Sequence, residues 1–163
     1  MAALARPRFD YSRDMMFDGK IGIWPFAQIV NTKRPSKNQS KGHTELKPIL
    51  SIRKNEVRDM IMNNIIPFLT NKWSTKFGDN GTRQQVIIQL DNALPHLKVD
   101  DGDFVAAAAS VLHLDIKMVA QPALSPDLNV CDLGFFDSFH SIHDTNLCHT
   151  YDQLVRSVQS AFH

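Results

Sequence analysis

The chain has 163 residues, 43% of them hydrophobic, and its 18 basic and 17 acidic side chains leave a formal charge of +1. That length supports one domain at most, with enough chain to bury about 70% of its unfolded surface, and the near-neutral balance excludes a whole-chain electrostatic footprint for nucleic acid. Two cysteines, no charged-then-apolar leader and no apolar run approaching the roughly 18 residues of a membrane span predict a soluble protein of a reducing compartment, without disulfides.

Taken in chain order, residues 2–9 (AALARPRF) are short and apolar-rich and read as a strand, with Pro7 marking an edge or bulge near its end. After the turn at Asp18-Gly19, KIGIWPF alternates like a strand, and the two pair as an antiparallel hairpin. Residues 31–42 (NTKRPSKNQSKG) hold Lys33, Arg34, Lys37 and Lys41 without an acidic residue. They read either as a solvated polar loop or as a loop contacting phosphate or serving as a nuclear signal.

From Lys54 to Leu69, the residues Val57, Met60, Ile61, Ile65, Phe68 and Leu69 recur at three- and four-residue steps, predicting a helix that Pro67 kinks or ends. Residues 72–83 read as a loop. Gln85 to Leu90 is rich in β-branched residues and predicts a strand buried on both faces. Asp101 and Asp103 can cap a helix over Phe104 to Leu112, and Asp115 to Val119 is a short strand. Asp127 or Asn129 then caps a helix that puts Leu128, Asp132, Phe135, Phe136 and Phe139 on one face. Thr150 to Gln153 is a capping-box pattern opening a last helix with Leu154, Val155, Val158 and Phe162 on its apolar side.

Asp91 closes the strand in VIIQLDNALPH, and Asp132 lies forty residues further on in QPALSPDLNVCDLGFF. Two carboxylates brought to one point suit a hard divalent cation such as Mg²⁺. By position alone, Asp132 reads equally as a first-turn acid paired with Asn129. His96 reads either as a residue that shapes the site with Asn92 or as a turn histidine bonded to its own loop. DNALPH followed by SPDLNVCDLGFF resembles the second and third catalytic blocks of the mariner-like transposases, and ARPRFD, FDGKIGIWPF and TELKPI extend the likeness to the plant-type branch. Leu94 departs from it, standing where that family usually has a basic residue.

The resemblance implies a ribonuclease H-like α/β fold, a mixed sheet flanked by helices, whose first and central strand is missing from residues 1–163. It maps the second and third metal-binding acids to Asp91 and Asp132, and it implies Mg²⁺ or Mn²⁺, transposon-end DNA as partner, a homodimer and a nuclear location. The first acid, in a block similar to Asp-Glu-Lys-Trp, has no counterpart, nor has the family's helix-turn-helix DNA-binding region. Asp10, Asp14 and Asp18 fall at the opposite end of the sheet in that topology. The implied chemistry, metal-assisted attack on a phosphodiester, therefore predicts negligible turnover here. A non-catalytic module binding nucleic acid or protein through the basic loop and an open sheet edge is the alternative.

Two further constellations are weaker. His140, His143, Asp144, Cys148 and His149 cluster but match no structural zinc spacing. Cys131 beside Asp132 reads as a small core residue rather than a nucleophile.

Overall fold

The computed structural model describes residues 1–11, 13–32, 42–73, 83–138 and 148–162. The chain opens as one long antiparallel hairpin made of β1 (Ala2–Leu4), β2 (Arg8–Asp10), β3 (Met15–Phe17) and β4 (Lys20–Ile23), with β1 paired to β4 and β2 to β3. The expected strand over residues 2–9 is thus two strands, parted where Pro7 cannot donate to a ladder. The Ala5 amide bridges the gap by donating to the Gly19 carbonyl at 2.7 Å. At the hairpin tip Asp10 is buried and paired with Arg13, whose guanidinium also donates to the Lys72 carbonyl at 3.0 Å.

A second hairpin follows, β5 (Ala27–Asn31) against β6 (Thr44–Pro48), closed by Thr32 and His43. Neither strand is legible in the sequence, because AQIVN and TELKP interleave polar and apolar residues without a clear period. The basic residues Lys33, Arg34, Lys37 and Lys41 belong to the connection between them and lie outside the described residues.

The predicted helix runs as α1 (Lys54–Met60), a wide π-type turn (Ile61–Ile65) and α2 (Ile66–Asn71). Pro67 neither ends it nor leaves a lost bond: the Ile66 amide reaches back five residues to Ile61, so that Pro67 enters in the first turn of a new segment. Val57, Ile61, Ile65 and Leu69 form its buried stripe.

That stripe packs against a βαβ unit. β7 (Gln84–Leu90) and β8 (Leu114–Ala120) pair in parallel from Gln84–Leu114 to Leu90–Ala120, joined by α3 (Gly102–Ser110). Val86, Phe104, Ala108, Leu114, Ile116 and Met118 meet the α1–α2 stripe in one core, where each large side chain contributes about 1.5–3 kcal/mol by leaving water. The expectation of a strand buried on both faces is overturned: Gln85, Ile87 and Gln89 are exposed, Ile87 by 57%. The reason lies in the layers, since the core packs against the Val86 face alone. The two glutamines, both on the Ile87 face, were the sequence signal.

α3 begins as predicted, with the Asp101 carboxylate accepting the Phe104 amide, and ends two residues early at Ser110. Arg58 of α1 clamps the same carboxylate at 2.6 and 3.3 Å, which holds Asp101 below the usual carboxylate range. Because that folded-state value lies below the unfolded one of about 3.9, the stabilisation is complete above the unfolded value and disappears as pH falls through the folded one. Asp115, held by Gln85 and Lys117, shifts in the same direction. Asp101→Asn keeps a good cap but no charge, so its unfolding midpoint in urea should fall with acid less steeply than the parent's between about pH 5 and 2. Identical slopes would show that the clamp adds nothing.

Beyond β8 lie a 3₁₀ turn (Pro126–Leu128), a distorted turn (Cys131–Phe135) and finally α4 (Tyr151–Phe162), which packs on β4 and β6. Thr150 caps α4 by accepting the Gln153 amide, while the Gln153 side chain accepts the His149 amide, a near form of the predicted box. The described residues form a mixed α/β arrangement of four two-stranded pairings with helices. No helix among them is long and apolar enough to cross a membrane.

Candidate two-carboxylate site

Asp91 follows the last residue of β7, at the C-terminal edge where open α/β sheets gather their ligands. Its Oδ1 accepts the Ala93 amide at 2.9 Å and meets His96 Nδ1 at 2.6 Å. The same imidazole nitrogen lies 3.0 Å from the Asp91 carbonyl oxygen. The histidine thus bonds its own loop through the Asp91 carbonyl and contacts the Asp91 carboxylate. Asn92 acts across the strands instead: its amide donates to the Gln121 carbonyl at 2.7 Å, and the Gln121 amide donates to Leu90. Leu94 is 93% exposed at the tip of this loop.

Asp132 comes in from the other side. Gln89 of β7 donates to the Leu128 carbonyl at 2.9 Å, drawing the 126–132 segment over the strand end. Asn129 then accepts the Cys131 amide and donates to Asp132 Oδ2 at 2.8 Å. This is the Asn129–Asp132 capping pair open in the sequence.

The predicted apolar face is corrected. Of the described residues of that face, Leu128, Asp132 and Phe136 are exposed and Phe135 packs edge-on against Phe162 at 5.9 Å, while Phe139 lies outside the described residues. Gly134, with φ at +136°, breaks the 3.6-residue period on which that face depends.

Asp91 and Asp132 line one cleft of about 970 Å³, together with His96 and Cys131. Burial and then the Asp132 and Asp91 carboxylates push the Cys131 thiol up, which disfavours the nucleophilic thiolate. Neither Cys131 nor Cys148 is in a disulfide. His140, His143 and Asp144 of the histidine-rich cluster lie outside the described residues.

The donor set consists of carboxylate oxygens, the type that Mg²⁺ and Mn²⁺ prefer. Among the described residues, however, no group of three or more His, Cys, Asp or Glu side chains could hold a metal ion. Asp10, at the hairpin tip beside Lys72, does not join Asp91. Two carboxylates are too few to hold the two ions of a two-metal centre. Comparison with family models, curated proteins and solved structures returned no match.

Proposed function

We propose that this chain derives from the ribonuclease H-like catalytic domain of a mariner-like transposase, and that Asp91 and Asp132 retain a single Mg²⁺ or Mn²⁺ without sustaining DNA cleavage. The observation that carries the reading is the arrival of both carboxylates in one cleft at the C-terminal end of a parallel strand pair joined by a helix. A bound cation would supply Lewis-acid polarisation of a phosphoryl oxygen. Around it, Asn129 orients Asp132, and His96 and the Ala93 amide orient Asp91. In-line strand transfer uses two ions about 4 Å apart, and two carboxylates are too few to bridge and hold both. The ancestral activity is cleavage and joining of transposon-end DNA in the nucleus by a dimer.

Hydrogen exchange with and without Mn²⁺ tests this reading. Amides of residues 86–92 and 129–138 should gain protection with a dissociation constant on the order of 1 mM, and Asp91→Asn and Asp132→Asn should each abolish it. Supercoiled plasmid should remain intact throughout. Exchange unaffected by Mn²⁺ would sink the metal reading. It would favour the second reading, a non-catalytic module binding nucleic acid or protein, for which the exposed apolar side chains of Leu94, Leu124 and Leu133 speak.

A further inference from the structure

Two energetically unfavourable features share the short connection between β8 and the turn that leads to Asp132. Gln121 is one of two buried polar side chains among the described residues, and its Oε1 has no hydrogen-bond partner. Buried acceptors are almost always satisfied in a native protein, because an unmade bond there costs the full desolvation of the group. Three residues on, Leu124 is wholly exposed and holds φ at +57°. A side-chain-bearing residue keeps that left-handed backbone only where its surroundings over-determine it. Neither feature helps the chain to fold. Outliers of this kind cluster where a site has to be held in place.

The bonds around these residues show what they secure. Gln121 donates its main-chain amide to the Leu90 carbonyl at 2.7 Å, and its own carbonyl accepts the Asn92 side-chain amide at 2.7 Å. It is thereby bonded to the residues on both sides of Asp91. Its Nε2 donates to the Ser125 carbonyl, which closes the turn around Leu124. The same carbonyl accepts the Leu128 amide at 3.1 Å and so opens the 3₁₀ turn. From the neighbouring strand, Gln89 Nε2 donates to the Leu128 carbonyl at 2.9 Å. Asn129 comes next, and its carbonyl accepts the Asp132 amide at 3.0 Å. The segment carrying Asp132 is therefore tied to the end of β8 at Ser125 and to the end of β7 at Leu128, each time by a glutamine side chain.

We infer that Gln121 and Gln89 are positioning residues that fix Asp132 relative to Asp91. The inference rests on the reading of those two carboxylates as one site. Gln121 serves placement rather than stability: a methionine would fill a similar volume, leave no orphaned acceptor and lose only the bond to Ser125.

Gln121→Met and Gln89→Met test it, first with the full chain held in EDTA. The amides of Leu128, Asn129, Asp132 and Leu133 should exchange about tenfold faster than in the parent, a local opening without global unfolding. The urea midpoint should stay at or above the parent's for Gln121→Met and be unchanged for the exposed Gln89→Met. Gln89→Lys keeps a donor at the strand end and should restore slow exchange. With Mn²⁺ added, the dissociation constant should rise about tenfold in both methionine variants, the scale of a lost orienting partner. Unchanged exchange at the four amides would overturn the assignment, as would Mn²⁺ binding equal to that of a parent that binds it. So would a lower urea midpoint with faster exchange at Val86 and Ile116, which would make the glutamines ordinary stability residues. A parent that binds no Mn²⁺ would refute the metal reading alone, because the EDTA arm still reports whether the glutamines hold the segment.

Discussion

Phe104→Ala is expected to lower the free energy of unfolding by about 3–5 kcal/mol, the largest single effect in the molecule. Phe104 is 2% exposed and lies where three elements meet: α3, which carries it, β8 through Leu114, and the α1–α2 stripe. Truncation removes its transfer free energy and leaves a cavity, because the parallel β7–β8 register and the Asp101 cap hold its surroundings in place. Domains of this size have total stabilities of about 5–15 kcal/mol, so the variant loses a large share of its stability. Val105→Ala, one position along and 51% exposed, is the control and should move stability by less than about 0.5 kcal/mol. Urea unfolding followed by circular dichroism separates them, and equal midpoints would refute the core assignment.

Gly19→Ala should be the second most damaging change. Gly19 has φ at +91°, a left-handed conformation that costs a side-chain-bearing residue about 1–3 kcal/mol. A Cβ there would also lie 2.1 Å from the Ala5 carbonyl oxygen, inside the strand junction that the Ala5 amide closes on Gly19. The backbone has to separate, so the β1–β4 ladder opens. Gly42 supplies the comparison, with φ at +85° and nothing within 4 Å of an added Cβ. Gly42→Ala should therefore show the conformational cost alone, and Gly19→Ala that cost plus the clash. Hydrogen exchange at Ala5 and Trp24 reads the difference directly. Similar losses in the two variants would mean that the hairpin tolerates separation at Ala5.

Much of the local structure was legible because its causes are local. The Asp101 cap, the α3 helix and the Thr150–Gln153 start of α4 each rest on residues within a turn of one another. The first hairpin was legible from two short apolar runs flanking Asp18-Gly19, although the break at Pro7 was resolved only by the pairing. Periodicity misled where one residue interrupts it. Gly134 undoes the apolar face expected around Asp132, and the wide turn at Ile61–Ile65 absorbs the interruption expected at Pro67.

Asp91, Asp132, Asn92 and His96 were candidates from residue type and from the resemblance, while the Asn92–Gln121 and His96–Asp91 hydrogen bonds came from the fold. What residue order alone determined is the inventory: two carboxylates, their neighbours, and the helices and strands that short-range hydrogen bonding and apolar spacing specify. The tertiary structure decided the rest. It paired β5 with β6, covered β7 on one face only and set Asp91 and Asp132, with forty residues between them, along one cleft. Those outcomes depend on loop closure and on which surfaces bury each other, and such long-range choices leave no periodic trace in the chain.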